Sequence, residues 1–526
     1  MKRAFIALLA CALAACGEPP LIPADAGASD SGPSDGGVDG GRAYDVFFDE
    51  GMGEEIAERF RVALPSSVAA PAILYPESGT LVPPNVFGVD VHYRAAVEQS
   101  FEITFAQGGA PSVVAYVRCA PVNDGCVFQP WREVWSALAA RRNAGPYAIT
   151  IRGLAGDDVT APSEPVVLEL ADEAIEGGVY FATSDSDPPT IQRHELGLER
   201  RSAERFLELS GYSPSHVVSL DGARIAVGTV LDVGGSETRI YDVSTRAPIT
   251  TVIDPDLLLP RFGPSHDMLF SALFADVGDT HPIRILSGSD ASVVHEWTSL
   301  GAAHSADWSP DGDRIVYNVT TGLRGIHFEH DLVVIERSES GEWGEPRTIP
   351  TGNLRPHQPS FAPDSDWIGY AALDFDDQDE HGTYAPLLVA QRVSDGHLVE
   401  LRRAHGNPSR YRGEAGTGLR WSPSPYTHGG RRIFWFTFSS GRGCGVLPRA
   451  EEPLFPGRQI WMAAFDPEAD PDDPSRPAFR LPAQRWGYSN ETAEWALSVR
   501  RQPCEEDAEC PDEQLCRDGF CYEGPQ

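Results

Sequence analysis

The sequence predicts an all-β protein that consists of a β-sandwich, a longer region built from a repeated β-sheet unit, and a small cysteine-rich tail. Three observations carry this prediction. Short alternating or β-branched runs fill 66–176, a turn pattern recurs through 177–500, and four cysteines lie within 501–526. Because 526 residues exceed one ordinary core, two or three domains are expected.

Residues 1–15 have the features of a signal peptide. Lys2 and Arg3 precede an apolar stretch too short to span a bilayer, and the stretch ends in "LAAC". This ending resembles a bacterial lipobox, which implies cleavage before Cys16 and acylation of that cysteine. An ordinary secretory signal cut elsewhere is the alternative. Gly17 stands where an inner-membrane retention signal would have Asp, so the resemblance implies an outer-membrane lipoprotein. It does not indicate whether the protein lies on the periplasmic or the outer surface of that membrane.

Residues 16–65 are predicted to be the lipid anchor and a flexible tether, since 17–42 are rich in Gly, Ser, Asp and Pro and contain no aromatic residue. The net charge of −35 repels nucleic acid and anionic lipid head groups. Membrane contact is therefore expected through the lipid alone. Lys2 is the only lysine, which excludes Schiff-base chemistry and a phosphate-loop lysine in the mature chain.

The segment 66–176 contains six or seven strand-like runs, among them "SFEITFA", "SVVAYVRC" and "YAITIRGL". Short strands at this spacing indicate an immunoglobulin- or fibronectin-like sandwich, interrupted by a short helix in "WREVWSALAARR". Cys119 and Cys126 lie within this region. A disulfide is favoured over a metal pair, because no second Cys/His pair has zinc-site spacing.

From 177 to 500 one pattern recurs: a strand end, a turn rich in Ser, Pro, Asp and Gly, and a second strand. It is visible in "SHVVSLDGARIAVG", "SADWSPDGDRIVYN" and "QPSFAPDSDWIGYA". The turns centre on five positions: 222, 266, 312, 365 and 430. Intervals of 44 to 65 residues are typical of one supersecondary unit per repeat, as in the blades of a propeller.

The stretch "WSPDGDRIVY" (308–317) resembles the repeat of TolB-type, WD40-like β-propellers. Five units are complete. A sixth is split between 178–197 and 489–498, and joining the two would close the ring. The resemblance therefore implies six blades, with Trp495 as a core residue like Trp308 and Trp421.

His216 precedes the first turn of the repeat. Some lipoproteins that resemble this chain carry Cys-x-x-Cys-His here, a c-type haem attachment signature. Tyr212 and Ser215 stand in place of the two thiols, so no covalent haem link can form and no cofactor is expected. A structural role for His216 is favoured over a ligand role, because a lone histidine lacks the convergent partners of a site.

His304 and His357 each lie four residues before a repeat aromatic, Trp308 and Phe361. We expect both histidines to approach a central channel together with Asp307 and Glu494. Such a polar ring either forms a binding pocket or merely solvates the mouth of the channel, and the second interpretation is favoured.

The acidic segment 373–382 could supply oxygen ligands to calcium, but it lacks the EF-hand pattern, and a solvated loop is favoured here and at 466–474. In the tail, four cysteines are predicted to form disulfides of undetermined connectivity, with zinc as the less favoured alternative: Cys504, Cys510, Cys516 and Cys521. Cys444 has no obvious partner.

No H-E-x-x-H motif or phosphate loop occurs in the chain, and fewer than thirty residues follow the last predicted strand. The α/β-hydrolase domain of propeller-bearing peptidases therefore does not fit. The sequence favours a non-enzymatic binding or scaffold lipoprotein whose partner is a protein or another envelope component. The alternative is an enzyme or redox protein with its site in the propeller channel.

Overall fold

The structure is a computed structural model. It describes these residues: 44–96, 98–184, 186, 188–197, 203–209, 215–230, 236–253, 259–271, 282–297, 302–324, 327–374, 386–406, 416–447, 457–485, 487–510 and 514–523. Strands dominate throughout, and the predicted all-β class is confirmed. Within the described residues, no helix has both the length and the apolar character needed to cross a membrane.

The N-terminal module, residues 44–176, contains twelve described strands in two sheets and two helices, α1 (Glu54–Val62) and α2 (Arg132–Ala140). The strands are β1 (Asp45–Phe48), β2 (Leu64–Pro65), β3 (Ala72–Tyr75), β4 (Thr80–Val82), β5 (Val91–Arg94), β6 (Ser100–Gln107), β7 (Ala110–Arg118), β8 (Pro121–Val122), β9 (Gly125–Phe128), β10 (Tyr147–Ala155), β11 (Asp158–Val159) and β12 (Val166–Leu170). The larger sheet has the order β1-β7-β6-β10-β11-β2, with β12 and β4 attached to β10, and the smaller sheet has the order β3-β5-β9-β8.

Alternation along the strands gives this module its core. In β10, Tyr147, Ile149 and Ile151 are buried, and the residues between them are partly exposed. Apolar side chains of both sheets join one buried cluster, as the ring contact between Tyr93 of β5 and Phe101 of β6 illustrates (centroids 4.8 Å apart). The two sheets therefore share a core.

The tether predicted for 16–65 is too long, because the chain is folded from residue 45 onward. Strand β1 pairs in parallel with β7, and α1 buries Ile56 and Phe60 against Tyr116 on the outer face of the larger sheet. Phe47 and Phe48 in β1 supply further apolar surface. These side chains contribute the burial that the Gly- and Asp-rich part of the tether lacks. Cys16, the residue predicted to be lipidated, lies outside the described residues.

Residues 177–500 contain, among the described residues, six four-stranded antiparallel sheets, which we number in chain order. The first sheet is β13 (Gly178–Thr183), β14 (Thr190–Glu195), β15 (Glu204–Glu208) and β36 (Asn490–Ala496); the second is β16 (Ser215–Val218), β17 (Arg224–Val230), β18 (Ser236–Asp242) and β19 (Pro248–Ile253); the third is β20 (Leu259–Phe262), β21 (Met268–Ser271), β22 (Ile283–Leu286) and β23 (Val293–Trp297).

The fourth to sixth sheets follow the same plan. The fourth is β24 (Ala302–Trp308), β25 (Arg314–Arg324), β26 (His327–Glu336) and β27 (Arg347–Ile349); the fifth is β28 (Leu354–Phe361), β29 (Trp367–Asp374), β30 (Pro386–Arg392) and β31 (Leu398–Glu400); the sixth is β32 (Thr417–His428), β33 (Arg431–Ser440), β34 (Gln459–Phe465) and β35 (Phe479–Arg480). A short helix, α3 (Arg402–His405), follows β31.

One strand of each sheet contacts its counterparts in the neighbouring sheets. These inner strands are β36, β16, β20, β24, β28 and β32, and their contacts run in cyclic order back to β36. The first sheet is completed by the predicted split pairing, since β36 pairs antiparallel with β13 and places Trp495 opposite Val179. Trp495 is buried, and its Nε1 donates to Thr437 Oγ1 at 3.0 Å.

The predicted turn positions share one backbone conformation. Gly222, His266, Gly312, Ser365 and Gly430 all have positive φ, between 60° and 81°. Two of the five carry side chains in a region that favours glycine, so the turn geometry is kept even where its preferred residue is missing. The repeat that the sequence predicts is therefore a structural repeat.

The N-terminal module packs directly on the sixth sheet. The Tyr75 ring meets Trp461 edge-on at 6.4 Å, and Arg480 N donates to Tyr75 Oη at 2.9 Å. On the same boundary, His92 Nδ1 lies 2.9 Å from the carbonyl oxygen of Cys444. Buried side chains of the two parts form one continuous cluster, so the module is joined to the sheets through a common core.

The tail forms a hairpin of β37 (Gln514–Arg517) and β38 (Phe520–Glu523). Its disulfides are Cys504–Cys516 and Cys510–Cys521, and the N-terminal module contains Cys119–Cys126, as the sequence predicts. The Sγ atoms of Cys504, Cys510 and Cys521 lie within 4.8 Å of one another, but each belongs to a disulfide. These sulfurs therefore offer no thiolate to zinc.

Three further expectations concern Cys444 and the two acidic segments. Cys444 is a buried free thiol, and burial raises its pKa to about 12. The acidic loop at 466–474 is more structured than predicted, because Asp466 and Asp473 are buried and Asp466 accepts from Arg431 Nε at 2.8 Å. Of the acidic segment 373–382, residues 375–382 lie outside the described part of the chain.

Candidate functional site where the inner strands converge

Four charged side chains from four different sheets meet at the inner strands. Glu494 Oε1 accepts from Arg261 Nη1 at 2.9 Å and from Arg420 Nε at 2.8 Å. Arg261 Nε lies 3.7 Å from Asp307 Oδ1. We call Arg261, Asp307, Arg420 and Glu494 the axial cluster. Each occupies the same place in its strand, immediately before the repeat aromatic.

The axial cluster is shielded from water and balanced in charge. Its side chains are between 7% and 17% exposed, and two guanidinium groups face two carboxylates. Burial raises the pKa of Asp307 to about 6, against the lowering effect of the Arg261 charge and of the hydrogen bond from Phe361 N at 2.8 Å. Ion pairing of this kind ties the sheets together and leaves little charge available to a ligand.

Bulges in four inner strands shape the region beside the axial cluster. Ser305, Gln358, Gly418 and Thr492 all have positive φ and lie three residues before the repeat aromatics of the fourth, fifth, sixth and first sheets. The strand register shifts at each of them. A bulge inserts residues into one strand and re-aims the side chains before it.

The bulges have two consequences. By register, His357 lies on the same face as Ser360, and Glu491 on the same face as Glu494, because their partners on the neighbouring strands are two residues apart. Carbonyl oxygens at the bulges also lose ladder partners. Arg420 Nη1 donates to one of them, Gln358 O at 3.4 Å, as well as to Leu419 O at 2.8 Å. Arg420 thus satisfies backbone groups as well as pairing with Glu494.

His216 performs a similar task at the first sheet. The residue is 4% exposed, and its Nε2 lies 3.0 Å from Tyr180 O, next to the bulge that Thr492 makes in β36. Burial lowers the pKa of His216, partly opposed by the Glu494 carboxylate, so the neutral ring donates one N–H. The structural role predicted for His216 agrees with this bond. Ser215 begins β16, and Tyr212 lies outside the described residues.

The sequence therefore identified part of the site. Asp307 and Glu494 meet in the axial cluster, His216 lies beside them, and His357 is partly exposed at the bulge level. Residue 304 belongs to β24 by its backbone, but its side chain lies outside the described part of the structure. Arg261 and Arg420 were missed, although each precedes a repeat aromatic as Asp307 and Glu494 do.

Two surface depressions lie away from the axial cluster. One is an open cleft of the N-terminal module, lined by Gln107, Ser112 and Arg141. The other is on the outer strands of the fourth sheet, beside Glu336 and Arg347. Neither contains a residue of the axial cluster, so buried charge and open cavity do not coincide at these places.

Comparisons with known proteins give low similarity. No protein-family model and no curated protein matches the chain. Among solved structures, TolB from Acinetobacter baumannii matches with 14% identity and a TM-score of 0.39 over 61% of this chain and 66% of that one, so the chain spans just under two thirds of its length. Kuenenia stuttgartiensis hydrazine synthase matches with 13% identity and a TM-score of 0.35 over 48% of this chain and 70% of that one. Likeness at this level carries no argument about function.

Proposed function

We propose that this chain is an envelope-anchored lipoprotein that serves as a non-enzymatic binding scaffold, with an Ig-like sandwich fixed to a six-bladed TolB-like β-propeller. The observation that carries the proposal is the axial cluster. Its charges are paired within the protein and its arginine donors are bonded to backbone and carboxylate oxygens. A site so occupied by its own partners favours rigidity over chemistry, and leaves recognition to the outer surfaces.

Two features of the architecture support this reading. The described residues form six four-stranded sheets whose inner strands contact one another cyclically, which is the arrangement expected of six blades. The N-terminal module shares a core with the sixth sheet. Because the two parts cannot move independently without breaking that core, they offer a partner a single preformed surface. The partner is expected to be a protein or another envelope component.

Anchoring is tested by fractionation of cells that express variants of the signal region. The Cys16→Ala variant should incorporate no labelled fatty acid and should be found outside the membrane fraction. Cys11→Ala, which changes a cysteine on the cleaved side, is the matched control and should remain lipidated. Membrane retention of Cys16→Ala, together with an unlabelled wild type, would show that the lipoprotein assignment is wrong.

Partner binding is tested by crosslinking in intact envelopes followed by purification of the full chain. The raised pKa of Asp307 favours the alternative, an enzyme with its site at the axis, because a carboxyl that titrates near 6 suits proton transfer. The Asp307→Asn variant distinguishes the scaffold hypothesis from the enzyme hypothesis. A scaffold retains its crosslinked partners in this variant. Loss of a measurable turnover activity in a variant that stays folded and keeps its partners would favour the enzyme.

A further inference from the structure

We propose that the cysteine-rich tail is a redox-sensitive strap across the closure seam. By closure seam we mean β36, the segment 497–502 that follows it, and the edges of the first and second sheets that they touch. In the disulfide form the strap holds β36 in the first sheet, and reduction of the tail loosens this strand. The inference concerns how the ring of sheets stays closed, and it does not depend on any ligand of the proposed scaffold.

The chain leaves β36 by crossing onto the second sheet. Leu497 N donates to Leu220 O at 2.8 Å, and Ser498 Oγ donates to Asp221 O at 2.9 Å. Gly222 has a φ of +68°, and a Cβ there would lie 1.9 Å from Ser498 O. The absence of a side chain at Gly222 therefore allows the segment to pass against the turn of the second sheet.

Arg501 then contacts side chains of the first sheet. Its guanidinium, 5% exposed, contacts Glu204 at 2.8 Å and Glu195 at 2.9 Å, while Arg193 Nε donates to Glu204 at 2.6 Å. We call Arg193, Glu195, Glu204 and Arg501 the seam cluster. Arg193 Nη1 also donates to Arg500 O at 3.0 Å, so both the backbone and the side chain of the segment are held.

The disulfide-linked tail covers this contact. The Arg501 guanidinium carbon lies 4.1 Å from the centre of the Tyr522 ring. Beside it, Cys521 N donates to Gln502 O at 3.0 Å and Cys504 N donates to Gly519 O at 3.0 Å. Tyr522 follows directly after Cys521, so the Cys510–Cys521 bridge fixes the ring that keeps water from Arg501. A buried ion pair loses strength when water reaches it.

The tail has little else to hold it in shape. After residue 501, the buried apolar residues among those described are the cysteines Cys504 and Cys521 themselves. Segments this small depend on covalent links because their apolar core is insufficient. A dithiol reductant converts each bridge through a mixed disulfide into two thiols, with two electrons and two protons transferred, and itself becomes a cyclic disulfide. The expected result is a tail that no longer covers Arg501.

The test measures amide hydrogen exchange in the purified full-length chain. Cys510→Ser/Cys521→Ser should raise exchange at 490–496 at least tenfold and leave 147–155 unchanged. The matched control Cys119→Ser/Cys126→Ser removes a bridge far from the seam and should not change exchange at 490–496. Dithiol treatment of the control variant should then reproduce the effect of the tail variant.

A second pair of variants keeps both tail disulfides. Tyr522→Ala should raise exchange at 490–496, whereas Tyr522→Phe, which retains the ring over Arg501, should not. The proposal is overturned if 490–496 exchange at the wild-type rate in both the tail variant and Tyr522→Ala, or if the control variant loosens the strand as much as the tail variant does.

Discussion

The axial cluster and the seam cluster contain the same kinds of charged group, but the pKa of a carboxyl group is shifted in opposite directions in the two. Each has two arginines and two carboxylates. In the seam cluster, burial alone would raise the pKa of Glu204, but the charges of Arg193 and Arg501 outweigh it and hold that pKa below its ordinary value. In the axial cluster, the pKa of Asp307 is raised to about 6.

The two pKa shifts differ because of the distance between the carboxylate and the nearest guanidinium nitrogen, and not because of the number of charges in the cluster. Glu204 has guanidinium nitrogens at 2.6 Å and 2.8 Å, whereas the nearest contact of Asp307 with a guanidinium is 3.7 Å. Arg261 directs its hydrogen bond to Glu494 instead. A buried carboxylate is thus stabilised as an ion by direct donors, and a nearby opposite charge without a short contact does not offset its desolvation.

Glu494 of the axial cluster lies in β36, and Arg501 of the seam cluster lies in the segment that follows it, so removal of both should have the largest effect. A chain that ends at 488 lacks Glu494 and Arg501 and leaves the edge of β13 unpaired, and we expect loss of cooperative unfolding and aggregation. A chain that ends at 503 keeps both residues and should remain soluble. Trp495→Ala should cost about 3–5 kcal/mol. Thermal unfolding compares the three, and a 488 chain that melts like the full protein contradicts the split-sheet closure.

Substitution of two adjacent arginines compares the stability contribution of a buried ion pair with that of an exposed one. Arg501→Met should destabilise the protein by about 3–5 kcal/mol, because Glu204 and Glu195 lose a buried partner. Arg500→Met removes a half-exposed contact with Asp221 and should cost less than about 1 kcal/mol. Urea unfolding at neutral pH measures both. Equal costs would mean that burial of Arg501 adds nothing to its pairing.

The two clusters should respond to pH with opposite sign. The folded-state pKa of Asp307, about 6, lies above the ordinary 3.8, so its contribution to stability falls as pH rises from 4 to 6. Glu204 has a lowered pKa, so its contribution is present above about 4.5 and is lost as pH falls through the folded-state value.

Substitutions reveal these contributions in unfolding experiments between pH 3 and 8. Relative to wild type, the free energy of unfolding of Asp307→Asn should rise between pH 4 and pH 7. The upper limit of this gain is about 3 kcal/mol. The actual gain should be smaller, because the Asp307 side chain is 17% exposed to water. Glu204→Gln should show its largest loss at neutral pH and a smaller loss at pH 3. Parallel pH profiles for the two variants would contradict the distinction between the clusters.

His216 lies beside the axial cluster, and its replacement should cost less than that of Arg501. Its ring is bonded to Tyr180 O and faces the Glu494 charge. His216→Ala should cost about 1–3 kcal/mol, because the Tyr180 carbonyl oxygen loses a donor. Absorbance of the purified wild-type chain gives the companion test. A Soret band that persists on denaturation would contradict the structural role of His216.

The sequence predicts the repeated architecture well because turns and alternation are local. His266 and Ser365 were placed at turn positions by spacing, and both adopt the positive φ of the glycines elsewhere in the repeat. The bulges were not predictable, since Ser305, Gln358 and Thr492 are ordinary strand residues in sequence and the extra residue appears only in the register.

The site was predicted only in part for a related reason. Arg261 and Glu494 pair across 233 residues, and no local pattern links them. Their common position before a repeat aromatic was available, but it indicates a shared face and not a contact. The folded segment at 45–65 was missed because β1 and α1 are stabilised by a sheet that lies later in the chain.

The split first sheet fixes the order in which this chain can finish folding. Strand β13 pairs with a strand that begins at residue 490, and Thr183 Oγ1 bonds with Asn490 across 307 residues. Since the chain is synthesised from its N-terminus, the edge of β13 stays without its partner until residues 490–496 have been made. Closing so distant a pair is slow, because loop entropy is lost before the contact is gained. The time during which this edge stays open sets the period in which the nascent protein is vulnerable to mispairing with another copy of itself.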